Sequence, residues 1–416
     1  MDFDQDQFMS KMTLEIFSKL EHKWLYSYPT PTDTPKKTRI LSIDGGNGFS
    51  AVAATSLVHL ESQIQSKTSD PTARIPDFFD IVVGTGTGAL FAALLVADDS
   101  NNRPLFSARD AVSFLSSHHS RLFTPKSSFP LLRSKNKFSA SSFEKTIRSA
   151  LTRNDDGKIL TLRDTVKPIL IPCYDLATSA PFVFSRAGAA ESEGFDFELW
   201  KVCRATTATP GRFESFEVMS VDGTTRCVGI DGGLVMNNPT AAAVMHVVHN
   251  KRDFPAVNGV EDLVVLSIGN GPASVGDGLG RRSGLGRGIC GLGKWWRKRG
   301  KSGGVGGGVV TRGDVMGIVM DGVSETVDQM MGNAFCWNRT DYVRIQANAI
   351  GETKTTTMED ILNQRAVESL PFGGKRMLSE TNGQRIESFV QRIVATGRRS
   401  LPPSPCKAVS PLLDGR

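Results

Sequence analysis

Residues 78–97 read FFDIVVGTGTGALFAALLVA. The apolar, partly β-branched run Phe78–Val83 leads into Gly84-Thr85-Gly86-Thr87-Gly88, and the apolar run Gly88–Ala97 follows. The pattern predicts a buried strand, a sharp turn and a helix. Glycines two before and two after a central residue mark a nucleophile elbow, G-x-S-x-G. Both flanking positions crowd the strand and the helix, and the central residue takes a strained backbone conformation that lifts its side chain above the sheet. Here the central residue is Gly86, so the turn is present and the nucleophile is not. Thr85 and Thr87 flank it and are expected to point away from the site. Two other readings stand beside this one. Gly84-x-Gly86-x-x-Ala89 fits a dinucleotide-binding fingerprint, but that needs a further strand ending in an acid about 20 residues on, and DSNNRPLFSARD forms none. A tight glycine turn without a ligand is the other.

Outward from the elbow the chain alternates short apolar strands with helices. Strands are expected at Arg39–Ile43, Ile169–Pro172, Phe182–Ser185, Cys227–Ile230, Leu263–Ile268 and Asp341–Gln346, and helices at Ala51–Gln65, Val315–Met331 and Arg385–Val394. Such alternation indicates an α/β fold with a mainly parallel sheet and helices on its faces. Two further segments end strands. Asp44-Gly45-Gly46-Asn47-Gly48-Phe49-Ser50 follows the first strand, and its glycines let several backbone N–H groups converge on one point, an anion nest useful as an oxyanion hole. Asp231-Gly232-Gly233 follows another, leading to Asn237-Asn238-Pro239; a carboxylate there is placed to act as a general base, and a plain Asp-Gly turn is the alternative. Open α/β sheets place their sites at the C-terminal ends of strands, where all three segments fall.

The order of glycine loop, elbow and Asp-Gly-Gly resembles the patatin-like lipid acyl hydrolases. Cys203–Phe213 (CRATTATPGRF) resembles that family's Ala-Thr-Ser-Ala-x-Pro segment, DGGLVMNNPT its dyad-Asp region and LSIGNG its late strand end, over residues 38–345. MTLEIFSKLEHKWL and CYDLATSAPFVFSRAGA resemble the plant subgroup whose elbow has glycine for serine. The resemblance implies a patatin-like three-layer sandwich and a Ser–Asp dyad without histidine, in which Asp takes the serine proton, serine attacks an ester carbonyl and the loop holds the oxyanion. Asp231 matches the base, Gly86 the nucleophile position, Gly84 and Gly88 the elbow, Gly45, Gly46, Asn47 and Gly48 the oxyanion loop, and Gly232 and Gly233 the motif after the Asp. Asn47 and Ser50 stand where the family has glycine, and Phe49 replaces the usual Arg; Asn tolerates positive φ, so the loop keeps its shape. The implied substrates are membrane phospholipids or galactolipids, with no cofactor and no metal. Turnover is expected to be weak or absent, and a pseudoenzyme binding lipid or a protein partner in a regulatory role is the alternative.

The 416 residues hold 39% apolar and 22% charged residues and carry a formal charge of +6, a globular composition. The longest apolar run, Ala89–Ala97, has nine residues, whereas a membrane-spanning helix needs about 20. MDFDQDQF lacks the basic-then-apolar order of a signal peptide, so the expectation is a cytoplasmic protein, peripheral at most on membranes. The six cysteines include no CxxC and read as reduced thiols; His246 and His249 read as structural. Residues 1–37 are expected to form an amphipathic helix docked on the main domain and a linker, 38–244 the core domain, 245–400 the C-terminal part of the fold with a Gly/basic loop in 271–312, and 401–416 a disordered tail. Residues 271–308 hold 15 of the 41 glycines, and eight Lys/Arg lie between Arg281 and Lys301. Trp295, Trp296, Arg297, Lys298 and Arg299 suit an anionic membrane interface or a solvated loop, with Cys290 nearby as an acylation candidate. Nucleic-acid binding has no accompanying reading fold. Gly300-Lys301-Ser302-Gly303-Gly304 also spells G-x-S-x-G but lacks a flanking strand and helix.

Overall fold

The computed structural model describes residues 37–46, 48–123, 139–271, 312–347, 357–370 and 374–395. The expected N-terminal helix, Asn47, the Trp/Arg run, Cys290 and the tail lie outside them. Strand β1 (Thr38–Ile43) is buried at all six positions, including the polar Thr38, Arg39 and Ser42. It sits between β2 (Ile81–Gly84) and β7 (Leu263–Ile268), parallel to both. Beyond β2 come β3 (Ile169–Asp175), β6 (Arg226–Ile230) and β5 (Phe216–Met219); beyond β7 comes β8 (Tyr342–Ile345), and β4 (Ala180–Ser185) lies on β3.

Alternate side chains divide between two cores. Leu41, Ile43, Val82 and Leu266 join one apolar cluster; Ile40, Ile81, Val83 and Val265 join the other. That division is the period-2 alternation of a sheet covered on both faces. The helices that cover it include α1 (Ala51–Thr68), α2 (Gly86–Val96), α3 (Leu199–Thr206), α4 (Thr240–His249), α5 (Arg312–Ala334) and α6 (Asn382–Ala395). The expected three-layer α/β architecture with a mainly parallel central sheet is the one observed.

Several details differ from expectation. Phe78 and Phe79 are buried but precede β2, because a 3-10 turn at Ile75–Asp77 with Pro76 in it occupies the preceding residues. Strand β5 has only four residues, and the hairpin of half-buried β9 (Arg365–Leu370) with largely exposed β10 (Gly374–Thr381) is rich in polar residues, so none carries an apolar run long enough to mark a strand. The largest departure concerns β6. It runs antiparallel to β3, and β5 runs antiparallel to β6, so this flank of the sheet is not parallel. Pairing of β3 with β2 ends at Leu170, and β3 continues to Asp175, where it pairs with Gly229 and Ile230. Strand β6 therefore travels back down β3, and the residue after it returns to the level of the elbow.

Candidate functional site

Residue 86 is the first residue of α2 and has φ +52°. A left-handed backbone strains any residue with a Cβ, and glycine holds it freely. The flanking glycines are needed for a different reason. A Cβ on Gly84 would lie 2.5 Å from the Gly88 carbonyl oxygen, and one on Gly88 would lie 2.4 Å from the carbonyl oxygens of Ile43 and Asp44. Strand β1, the turn and α2 are thus packed backbone on backbone. At Gly86 the opposite holds: a Cβ would stand 3.5 Å from Gly46 N, 3.6 Å from Gly45 Cα and 3.7 Å from Asp231 Oδ1, all ordinary contacts.

Asp231 is 1% exposed. Its Oδ1 accepts from Gly233 N at 2.8 Å and its Oδ2 from Thr209 Oγ1 at 2.5 Å. Burial pushes its carboxyl up to about 6, against the opposing pull of these hydrogen bonds and of Arg212. Gly232 is held against β3, where a Cβ would meet the Pro172 carbonyl oxygen at 2.1 Å. The segment after α3 ties these pieces together. Thr206 Oγ1 donates to Pro172 O at 2.7 Å and accepts from Gly86 N at 3.0 Å, and Asp231 N donates to Ala208 O at 3.2 Å. Thr206 and Thr209 were not singled out from the sequence; the threonine-rich stretch ATTAT after an apolar helix is the signal that marks them.

In the glycine loop, Gly45 N donates to Asn237 O at 2.8 Å, so this N–H is committed to the protein. Gly46 N makes no hydrogen bond among the described residues and lies 3.5 Å from the point a Cβ on residue 86 would occupy. A Cβ on Gly48 would meet nothing within 4 Å, so space does not demand glycine there. Ser50 caps α1, accepting from Ala53 N at 3.0 Å, and the Phe49 ring lies 6.1 Å from that of Phe91. Thr85 Oγ1 donates to Met236 O at 2.7 Å, away from the site as expected. Thr87 Oγ1 instead reaches Gly46 O at 3.5 Å, because α2 begins at Gly86 and turns this side chain toward the loop.

Behind the loop lies a buried ionic network. Arg344, on β8, grips Asp44 with both terminal nitrogens at 2.9 and 2.6 Å and donates from Nε to Asp328 Oδ2 at 3.0 Å. Tyr342 and Asn238 also donate to Asp328, and Asn237 donates to Ser324 on α5. Burial raises the Asp44 carboxyl to about 6 even against Arg344. The expected structural histidines behave so: burial lowers His246, and His249 Nδ1 lies 2.9 Å from Met245 O. Cys173, Cys203 and Cys227 are buried free thiols, and Cys336 is exposed. Among the described residues no three His, Cys, Asp or Glu side chains gather as a metal site would require, and no helix is long and apolar enough to cross a membrane.

Residues 41–244 match the family model described as Patatin-like phospholipase. Probable inactive patatin-like protein 9 of Arabidopsis thaliana is 57% identical over 410 residues, 98% of this chain and 99% of that protein. The chain belongs to the patatin-like phospholipase family. Patatin-like protein 6 of Arabidopsis thaliana is 38% identical over 442 residues, covering 94% of this patatin-like chain and 84% of the relative. Patatin-like protein 3 of Oryza sativa subsp. indica is 37% identical over 432 residues, covering 96% and 94%. The match of this patatin-like protein to its relatives therefore extends well past residue 244, into β7, β8 and α5.

Proposed function

We propose that this chain carries a patatin-like acyl-ester site that holds a membrane phospholipid or galactolipid and has lost the covalent route of hydrolysis. One observation carries the reading: a side chain at residue 86 would start 3.5 Å from Gly46 N and 3.7 Å from Asp231 Oδ1. A serine there would stand between an amide donor and a base, which is what acyl transfer needs. The carboxyl of Asp231, raised to about 6, suits a base working near neutrality. Glycine offers no atom from which an acyl-enzyme could form, and the printed name of the 57% identical relative includes "inactive". Expected turnover is weak or absent by the serine route.

A lipid-binding pseudoenzyme with a regulatory role is the second reading, favoured by the φ of +52° at Gly86. Serine in that conformation costs about 1–3 kcal/mol, and glycine relieves it. Peripheral contact with an anionic membrane through Trp295–Arg299, from the cytoplasmic side, belongs to the same proposal. The test is restoration. Gly86→Ser should react covalently with a fluorophosphonate and release fatty acid from vesicles of phosphatidylcholine and monogalactosyldiacylglycerol. A folded Gly86→Ser protein that does neither would show that this is not an acyl-ester site.

A further inference from the structure

We propose that a cavity between β8, the β9–β10 hairpin and α6 binds a phosphate monoester, held by Arg376 and Arg385. Gly86 and Asp231 do not line this cavity, and the proposal does not depend on the acyl-ester reading.

The cavity has a volume of about 300 Å³, and five arginines and three carboxylates line it, so its lining is net positive. Most of those arginines are engaged. Arg344 holds Asp44 and Asp328, and Arg392 holds Asp341. Arg339 and Arg376 share one carboxylate, that of Glu368. Glu368 offers two oxygens to two guanidinium groups, so most of their N–H groups remain for a ligand. Arg385 differs from the other four. It makes no hydrogen bond and no ion pair among the described residues, although Glu380 and Glu368 are near enough to act on it electrostatically. It is half-buried on α6, and burial holds its guanidinium below the ordinary arginine value. The group stays charged all the same, and a desolvated charge without oxygen partners is costly. Ser388, three residues on along the same helix face, also lines the cavity, and its hydroxyl has no protein partner among the described residues.

The donors approach from three directions. Strand β10 supplies Arg376, helix α6 supplies Arg385 and Ser388, and the segment before β8 supplies Arg339. Each arginine presents a planar fork that matches two oxygens. A carboxylate has two oxygens in one plane and cannot meet donors from three elements together. A tetrahedral phosphate dianion presents three oxygens in different directions and can. Val343, Val367, Leu378 and Phe389 also line the cavity, which suits the organic part of an ester better than a bare hydrated ion. The phosphate monoester of a lipid headgroup and that of a soluble metabolite share this chemistry.

The full chain is titrated with glycerol 3-phosphate by calorimetry. It is also sedimented with phosphatidylcholine vesicles carrying either phosphatidic acid or phosphatidylserine at matched surface charge. Arg385→Gln and Arg376→Gln are compared with Arg226→Gln, a control on β6 where an exposed arginine pairs with Glu217. The natural chain should bind glycerol 3-phosphate. Both cavity variants should weaken that binding roughly 10-fold or more, and the control should leave it unchanged. Arg385→Gln should not lower the ligand-free melting temperature, but the rise caused by glycerol 3-phosphate should disappear. Arg376 is half exposed, so Arg376→Gln decides the matter even where Arg385→Gln does not fold. Variant-sensitive retention on phosphatidic acid vesicles supports the proposal with a lipid headgroup as the source; binding of glycerol 3-phosphate alone supports it with a soluble ester. Binding of neither probe, or binding that both variants leave undiminished, overturns it. Equal retention on both anionic vesicles, indifferent to the variants, would place the contact in the basic run Arg297–Arg299 and also overturns it.

Discussion

At the residue scale, four glycines of the elbow and the loop before it face different constraints. Gly84 and Gly88 are fixed by backbone contact at 2.4–2.5 Å, so Ala at either position forces strand and helix apart. Thermal unfolding should show a loss of about 3 kcal/mol or more for Gly84→Ala and Gly88→Ala, whereas Gly48→Ala, with open space around it, should fall within about 0.5 kcal/mol. Gly86 is fixed by φ alone, at about 1 kcal/mol for Ala. Asp231 makes a pH-dependent contribution. Its carboxyl holds its proton up to about 6 in the fold, against an ordinary 3.8. The folded chain therefore binds more protons than the unfolded one in this window, and stability falls as pH rises through it, the loss being complete above about 6. At about 1.4 kcal/mol per unit the cost approaches 3 kcal/mol. Urea unfolding should find Asp231→Asn more stable than the natural chain at pH 8 and not at pH 3.5. A variant that is less stable at pH 8 would show that the hydrogen bonds from Thr209 and Gly233 outweigh desolvation.

At the scale of elements, the glycine loop is held from behind. Strand β1 ends at Ile43, and Asp44 hands the chain to Gly45 while gripped by Arg344 of β8. Asp328 of α5 shares the same guanidinium, so one arginine ties strand end, helix and second strand together. Removing it strands two buried carboxylates. Arg344→Met should cost about 3–5 kcal/mol at pH 7.5. The cost should shrink toward pH 5, where Asp44 is already largely protonated. A pH-independent loss in urea titrations would mean that the arginine acts by packing. Nothing in the sequence around Arg344 announces this role, because its partners are 300 and 16 residues away. The elements themselves were legible where they are buried: RILSI of β1 and LVVLSI of β7 are short, mostly apolar runs. Strands β5, β9 and β10 were not, because β5 is only four residues long and the half-buried β9 and exposed β10 carry mostly polar residues.

At the scale of the molecule, the stretch matched by the family model is not a complete sheet. It ends at residue 244, before β7, the partner of β1 on the side away from β2. Leu263, Val265, Leu266 and Ile268 of β7 are fully buried, each worth about 1.5–3 kcal/mol, together comparable with the whole stability of a domain, about 5–15 kcal/mol. Helix α6 adds a second seal, with Phe389 stacked on Phe79 at 6.0 Å and Ile393 O accepting from Arg39 Nη2 at 2.8 Å. A piece spanning 38–244 should therefore lack a cooperative thermal transition, while 38–395 keeps one. Cooperative unfolding of the shorter piece would show that the two sides of the sheet are separable.

The sequence by itself determined the class of fold, the glycine turn at 84–88 and the lack of a side chain at its centre. These are local properties: a glycine pattern, the burial of a strand and the identity of one side chain are all written within about twenty residues. Only the tertiary structure decided how Asp231 reaches residue 86. Strand β6 is antiparallel, and its aspartate arrives there because β3 overshoots β2 and lets the chain return. Strand direction is set by pairing between segments far apart in the chain, and so it leaves no mark on the residues of either strand. The same holds for the loop amides: that Gly45 N is spent on Asn237 and Gly46 N is not depends on which carbonyl stands opposite, and packing alone brings that carbonyl there.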